Sequence, residues 1–208
     1  MDFTSISTLI FDFGRVLINL KREAAIDAFR QLGLDTADQL LDNYVQSGIF
    51  MQLENGSLSA ADFRDEVRKL TAPTVTDEQI DQALYAFLLD IPAEKLELLL
   101  ALRRKFRVVM LSNTNPIHFP WCAATKFTYN GHQLGDFFDA CYISYELKCS
   151  KPGAEIFHKL LAAEGVAPES CLFFDDGIQN IKAAQALHFQ TVLVKPNEDL
   201  RPYFASVL

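Results

Sequence analysis

Residues able to do chemistry stand in this chain where apolar runs end. Asp12 closes T-L-I-F-D; Ser112, followed by Asn113 and Thr114, closes F-R-V-V-M-L-S; Lys148 and Lys151 follow A-C-Y-I-S; Asp175 and Asp176 close C-L-F-F-D. Singly, each has an ordinary reading, since an Asp after a strand is a turn former or helix cap and a lone Lys is a solvated charge. Their joint placement implies more. Carboxylates gathered at one edge repel each other, which raises pKa values and lowers stability unless a cation neutralises them. An all-oxygen cluster suits Mg²⁺, which is commonly held by one or two carboxylates together with phosphate and water. A carboxylate beside such an ion can attack phosphorus, provided that fixed donors and cations offset the charge of the transferring group. Ser112 and the backbone amides near Asn113 can bond phosphate oxygens. Lys151 supplies positive charge, aimed by the turn at Pro152 and Gly153.

These residues need a scaffold that brings strand ends together. The runs 8–13, 106–112, 140–144, 171–175 and 190–194 read as buried strands, rich in β-branched and aromatic residues. Segments 153–165 and 178–187 carry apolar residues at three- and four-residue spacing and read as helices. Strands alternating with helices predict an α/β fold with a doubly wound, Rossmann-like parallel sheet, whose ligands bind beyond the carboxyl ends of the strands. From 17 to 102 no strand is evident. Ser59 with Asp62 and Thr76 with Gln79 have capping-box spacing, and Pro92 suits a first helical position. The expected organisation is therefore a core of residues 1–16 and 103–208, with a mostly helical cap of three or four helices, 17–102, inserted after the first strand.

The chain has 208 residues, of which 50% are hydrophobic, which excludes wholesale disorder. With 19 basic and 27 acidic residues its formal charge is −8, so binding to nucleic acid or an anionic lipid surface is disfavoured. No apolar run approaches the ~20 residues that a bilayer requires. The first positive charge is Arg15, so the N-terminus lacks the start of a secretory signal, and a cytoplasmic location is expected. Cys122, Cys141, Cys149 and Cys171 match no C-x-x-C spacing and read as reduced structural thiols.

The motifs resemble those of haloacid dehalogenase-superfamily hydrolases over nearly the whole chain. Phe11-Asp12-Phe13-Gly14-Arg15-Val16 is similar to the first motif, V-V-M-L-S ending at Ser112 to the second, Lys151 before Pro152 to the third, and Phe173-Phe174-Asp175-Asp176 with Asn180 to the fourth. L-S-N-T-N, F-F-D-D-G-x-x-N-I and the cap's L-E-N-G-S-L-S look similar to the bacterial branch that includes α-D-glucose-1-phosphate phosphatase. The resemblance implies a Mg²⁺-dependent phosphatase of a small phosphorylated metabolite, such as a sugar phosphate. It implies Asp12 as nucleophile, and Asp12, the Gly14 carbonyl and Asp176 around the metal. Asp175 is a further ligand or a supporting partner, an alternative that spacing leaves open, and Asn180 orients the acidic loop.

Gly14 departs from the family pattern. Most of the family's phosphatases carry a second Asp there, which protonates the leaving oxygen and later activates water, a contribution of roughly 10²–10⁴ in rate. Three readings follow: a phosphatase whose cap or substrate handles the proton, a metal-independent dehalogenase, or a weakly catalytic module that binds a phosphate ligand or a protein. The phosphatase is favoured because the branch named above also carries Gly. Candidate substitutes are Glu54, beside Asn55 and Gly56, and His118, which titrates near neutrality when unperturbed. Arg15 and Lys148 are candidates to add positive charge around a phosphate. The aromatic segment 118–121 with Phe127 and Tyr129 reads more as core packing than as a pocket wall, and Ile49, Phe50 and Met51 pose the same choice.

Overall fold

Residues 2–42 and 46–208 are described by the computed structural model. Five strands form one parallel sheet in the order β3-β2-β1-β4-β5. They are β1 (Thr8–Phe11), β2 (Arg107–Ser112), β3 (Ala140–Ile143), β4 (Cys171–Asp175) and β5 (Gln190–Leu193). β1, β4 and all of β2 but its first residue are buried, as expected of strands covered on both faces. β1 is central, pairing Phe11 with Met110 on one side and with Phe174 on the other. The connections therefore diverge on either side of β1, and its carboxyl end opens into the crevice of a topological switch point.

β1 is shorter than the apolar run suggested. Asp12 keeps one ladder bond, from its N–H to the Phe174 carbonyl at 2.9 Å, and the chain then turns. The Leu17 and Ile18 amides both donate to the Phe13 carbonyl, at 2.9 and 3.0 Å, and Arg15 adopts φ 61° in the bend. Lys95, 2% exposed, donates from Nζ to the Val16 carbonyl at 2.5 Å and steadies the far side of the bend.

Between β1 and β2 lie α1 (Arg22–Gln31), α2 (Ala37–Leu40), α3 (Gly48–Glu54), α4 (Ala60–Leu70), α5 (Asp77–Tyr85) and α6 (Ala93–Leu102). The insertion is thus cut into more and shorter helices than three or four. Thr76 and Gln79 form the reciprocal capping box at α5. At α4, Ser59 accepts from the Asp62 amide, but the Asp62 carboxylate takes the Ser59 hydroxyl. Pro92 is the N-cap of α6, one position earlier than expected, where its missing N–H is of no consequence. Outgoing and returning chains run side by side: Asn19 N–H donates to Asp90, Leu89 to Asn19 and Lys21 to Phe87, at 2.8–3.0 Å.

The remaining helices are α7 (His118–Thr125), α8 (Leu134–Phe137), α9 (Ser144–Leu147), α10 (Ala154–Glu164) and α11 (Ile178–Ala186). Gly165 ends α10 as a left-handed C-cap at φ 66°, at the limit of the segment read as helical. One core cluster spreads from Phe11 and Phe174 through Phe29, Phe50 and Phe63 of the insertion, and a second packs Ile156, Phe157 and Leu160 of α10 on Ile10, Val109 and Phe173. All four cysteines are free, with Cys122 and Cys171 buried. No helix among the described residues is long and apolar enough to cross a membrane.

Candidate active site

At the carboxyl edge of the sheet the register delivers Asp12, Ser112 and Asp175 from three adjacent strands. Carboxylate oxygens of Asp12, Asp175 and Asp176 lie within 4.8 Å of one another. Lys151 rises between them, its Nζ 2.7 Å from Asp12 Oδ1 and 2.7 Å from Asp175 Oδ2. Asp175 is fully buried and its two oxygens are spoken for: Oδ1 accepts from the Gly177 amide at 2.7 Å and from Asn180 Nδ2 at 2.9 Å, while Oδ2 accepts from Lys151. Asp176 lines the cavity beside them and pairs with a different cation, its Oδ2 lying 3.3 Å from Arg15 Nε.

Burial dominates the electrostatics. It pushes the Asp12 carboxyl up to about 7, with Lys151 opposing and Asp175 adding to the rise. Asp176 is pushed up to about 6 by burial and then by Asp175, against the pull of Arg15. Burial also disfavours the Lys151 ammonium, but Asp12 and Asp175 outweigh it and hold its pKa above the ordinary value. The rim thus carries more negative charge than its own cations offset. An all-oxygen donor set in that condition fits a hard divalent ion, and Asp12, Asp176 and the adjacent backbone at Gly14 are the groups that would hold Mg²⁺.

The cluster floors a cavity of about 110 Å³. Phe13, Gly14, Ser112, Asn113, Lys151 and Asn180 line its base, and the insertion supplies a mainly apolar roof with Phe50, Leu84, Phe87 and Leu88, together with Gln46 and Glu54. Ser112 is 1% exposed at the end of β2. The Asn113 side chain faces away from a phosphate role: its Nδ2 donates to the Lys151 carbonyl and its Oδ1 accepts the Lys151 amide, each at 2.9 Å. It clamps the loop that carries Lys151.

Other expectations meet a different geometry. Lys148 does not line the cavity; its ammonium donates to the Gly56 carbonyl at 2.6 Å, because its left-handed backbone (φ 56°) turns it toward the cap. Arg15 faces Asp176 and is not part of the cavity wall. His118 lines the cavity, but both ring nitrogens are engaged, Nδ1 with Asn115 Nδ2 and Nε2 with the Leu84 carbonyl, each at 3.0 Å. Burial pushes its pKa down to about 4, so it is held neutral as a tie between core and cap. Trp121 stacks on Tyr85 with ring centroids 4.4 Å apart and Phe127 is fully buried, in keeping with packing. Phe50 is both core and cavity wall, whereas Met51 is 44% exposed.

Glu54 does line the cavity, and its carboxyl is pushed up to about 7, chiefly by burial, with Lys151 lowering and Asp12 raising it. The loop behind it is anchored by a residue that sequence reasoning passed over. Ser144, fully buried, has its single hydroxyl proton within reach of two carbonyls, that of Glu54 at 2.6 Å and that of Thr114 at 2.9 Å, and accepts from the Thr114 amide at 3.0 Å. A serine ending an apolar run was the available signal. Asn115 was missed as well; its Oδ1 accepts the amides of Ile117 and His118 and opens α7.

Comparison with known proteins places this architecture. The D-ribitol-5-phosphate phosphatase of Bacteroides thetaiotaomicron is 38% identical over 203 residues, covering 98% of each chain. A crystal structure of a family enzyme from the same organism, an aspartate-to-alanine variant in complex with magnesium and inorganic phosphate, matches with a TM-score of 0.93 and 41% identity, over 96% of this chain and 98% of that one. A HAD-like family hydrolase from Porphyromonas gingivalis matches with a TM-score of 0.91 and 35% identity, over 98% of each. The L-2-haloacid dehalogenase of Xanthobacter autotrophicus shares the fold alone, at a TM-score of 0.59 and 17% identity over 89% of this chain and 76% of that one. With the family pattern matched from residue 6 to residue 188 as well, the chain belongs to the haloacid dehalogenase-like hydrolases.

Proposed function

We propose that this protein is a Mg²⁺-dependent phosphatase of a small phosphorylated sugar or sugar alcohol, working through an aspartyl phosphate on Asp12. One observation carries the reading: a buried carboxylate, bonded to Lys151 and flanked by two further acids, lies at the floor of a cavity beside Ser112. The relative's activity toward D-ribitol 5-phosphate and the magnesium and phosphate bound by a similar structure support it.

Asp12 Oδ attacks phosphorus in line with the departing alcohol. Lys151, with two of its three donors already on carboxylates, has one left for a phosphate oxygen. The Ser112 hydroxyl and the Asn113 backbone amide take the other oxygens. Asp12, the Gly14 carbonyl and Asp176 would hold Mg²⁺, which when bound offsets the charge of the transferring phosphoryl group. Asp175 acts behind them, since its hydrogen bonds to Gly177, Asn180 and Lys151 fix the loop and the ammonium. Arg15 steadies Asp176. The small cavity favours an acyclic or single-ring alcohol and disfavours nucleic-acid or protein substrates.

The test is phosphate release from a panel comprising D-ribitol 5-phosphate, other pentitol and pentose phosphates, D-glucose 1-phosphate and p-nitrophenyl phosphate. Saturable turnover of a sugar or sugar-alcohol phosphate that EDTA abolishes and Mg²⁺ restores is expected. Phosphate binding without turnover of any ester would make the protein a binding module instead.

A further inference from the structure

The residue that ordinarily moves the proton in this family is absent at Gly14, and a side chain there would be crowded. An added Cβ would lie 3.3 Å from the Leu20 Cδ1 methyl of the outgoing chain. A substitute must come from another element. Among the described residues lining the cavity, the ionisable groups are Asp12, Asp176, Lys151, His118 and Glu54. The first three belong to the charged cluster, and both nitrogens of His118 are engaged. The Glu54 side chain makes no hydrogen bond or ion pair within the described residues, and Lys151 and Asp12 are the charges that act on it.

The backbone that carries this carboxyl is anchored at several points. Its backbone carbonyl accepts the Ser144 hydroxyl at 2.6 Å, and two residues on the Gly56 carbonyl accepts Lys148 Nζ at 2.6 Å. Gly56 adopts φ 71° so close to α9 that a Cβ would lie 2.2 Å from the Tyr145 carbonyl oxygen. A surface turn has no need of such close seating, whereas a group that must act within a fraction of an ångström of a reacting atom does.

We infer that Glu54 is the general acid and base of this enzyme, standing in from the cap for the side chain that Gly14 lacks. The inference rests on the phosphatase reading above. As Asp12 Oδ forms its bond to phosphorus, the ester P–O bond breaks, its electron pair passes to the alcohol oxygen, and that oxygen takes the Glu54 proton. The alcohol departs and water enters. Water then attacks the phosphorus of the aspartyl phosphate, its proton goes to the Glu54 carboxylate, and the P–O bond to Asp12 breaks. Both carboxyl groups return to their starting forms.

Leaving-group dependence tests this. An alkyl phosphate such as D-ribitol 5-phosphate releases an alkoxide unless it is protonated, whereas p-nitrophenyl phosphate releases a stable phenolate. With Mg²⁺ present, Glu54→Gln is expected to lower kcat/KM for the alkyl ester by about 10²–10⁴-fold and that for the aryl ester far less, while kcat falls on both because the shared aspartyl phosphate loses its base, with Glu54→Asp intermediate. The aryl ester also reports whether the variant is folded and seated. Equal losses in kcat/KM on both esters would make Glu54 structural, and no loss in either parameter would remove it from the mechanism; each overturns the inference. Hydrolysis of aryl but not alkyl esters by the wild-type enzyme would show that no acid is present, again overturning it. Only if the wild type hydrolyses neither does the phosphatase reading itself fall, and this inference with it.

Discussion

Lys151 is the residue on which the rim's electrostatics turn. Among the described residues it is the one side chain bonded to both Asp12 and Asp175, and it is 5% exposed, so water does little to screen either acid if it is removed. Lys151→Met keeps the stem and deletes the charge. We expect a loss of about 3–5 kcal/mol in urea denaturation of the metal-free protein, the usual cost of leaving a buried charge unpaired, and loss of turnover that added Mg²⁺ does not restore. A variant of unchanged stability would mean that the carboxylates had simply taken up protons. The residues gathered at the rim were legible in the sequence where a polar group ended an apolar run, as at Asp12, Ser112 and Asp175, although Ser144 ends such a run too and was passed over. A role was not legible where it depends on a partner far along the chain. Lys148 and Lys151 are three residues apart and look alike as letters, yet one reaches the acid cluster and the other Gly56. The αL backbone of Lys148 makes that difference, and nothing in a lysine's identity predicts it.

Strands and helices were read from the sequence more securely than their limits. β1, β2 and β4 leave a continuous apolar signal because both faces of the sheet's centre are buried, whereas the edge strands β3 and β5 are only partly buried, and Gly165 ends α10 at φ 66°, a conformation that glycine adopts without strain. The insertion's boundaries were harder, because helices on either side of a hinge share one apolar pattern. Asn19–Lys21 and Phe87–Asp90 pair as they cross, and α6 lies beyond that crossing, packed against α8. We propose that the cap ends nearer Asp90 than Leu102. At the same scale, the turn at 54–56 is seated on α9 by Ser144, Lys148 and the missing side chain of Gly56. Gly56→Ala should therefore lift the turn. Turnover of alkyl phosphates should fall at least tenfold, roughly the penalty for misplacing a catalytic group by about an ångström, while circular dichroism stays that of the wild type. Full activity in that variant would show that the turn's seating is incidental.

For the whole molecule, the rim ties folding to pH and metal. Asp12 is pushed from 3.8 up to about 7 in the folded protein, and Asp176 from 3.8 up to about 6, so between roughly pH 4 and 7 the native state binds more protons than the unfolded chain. Stability from these groups is therefore greatest at the acid end and declines as pH rises through that window. Mg²⁺ replaces the protons, so the rise in Tm on adding Mg²⁺ should be larger at pH 7.5 than at pH 5 in differential scanning calorimetry. A metal-induced shift independent of pH would place the ion away from these acids. The most direct measurement, however, is phosphate release by the wild type and by Asp12→Asn, which removes the attacking charge while nearly preserving shape. With Mg²⁺ and a sugar-alcohol phosphate, the account predicts a loss of at least about 10⁴-fold in kcat, the scale seen when an enzyme loses its nucleophile. Turnover by Asp12→Asn within about tenfold of the wild type would contradict it, since losses that small do not mark a nucleophile.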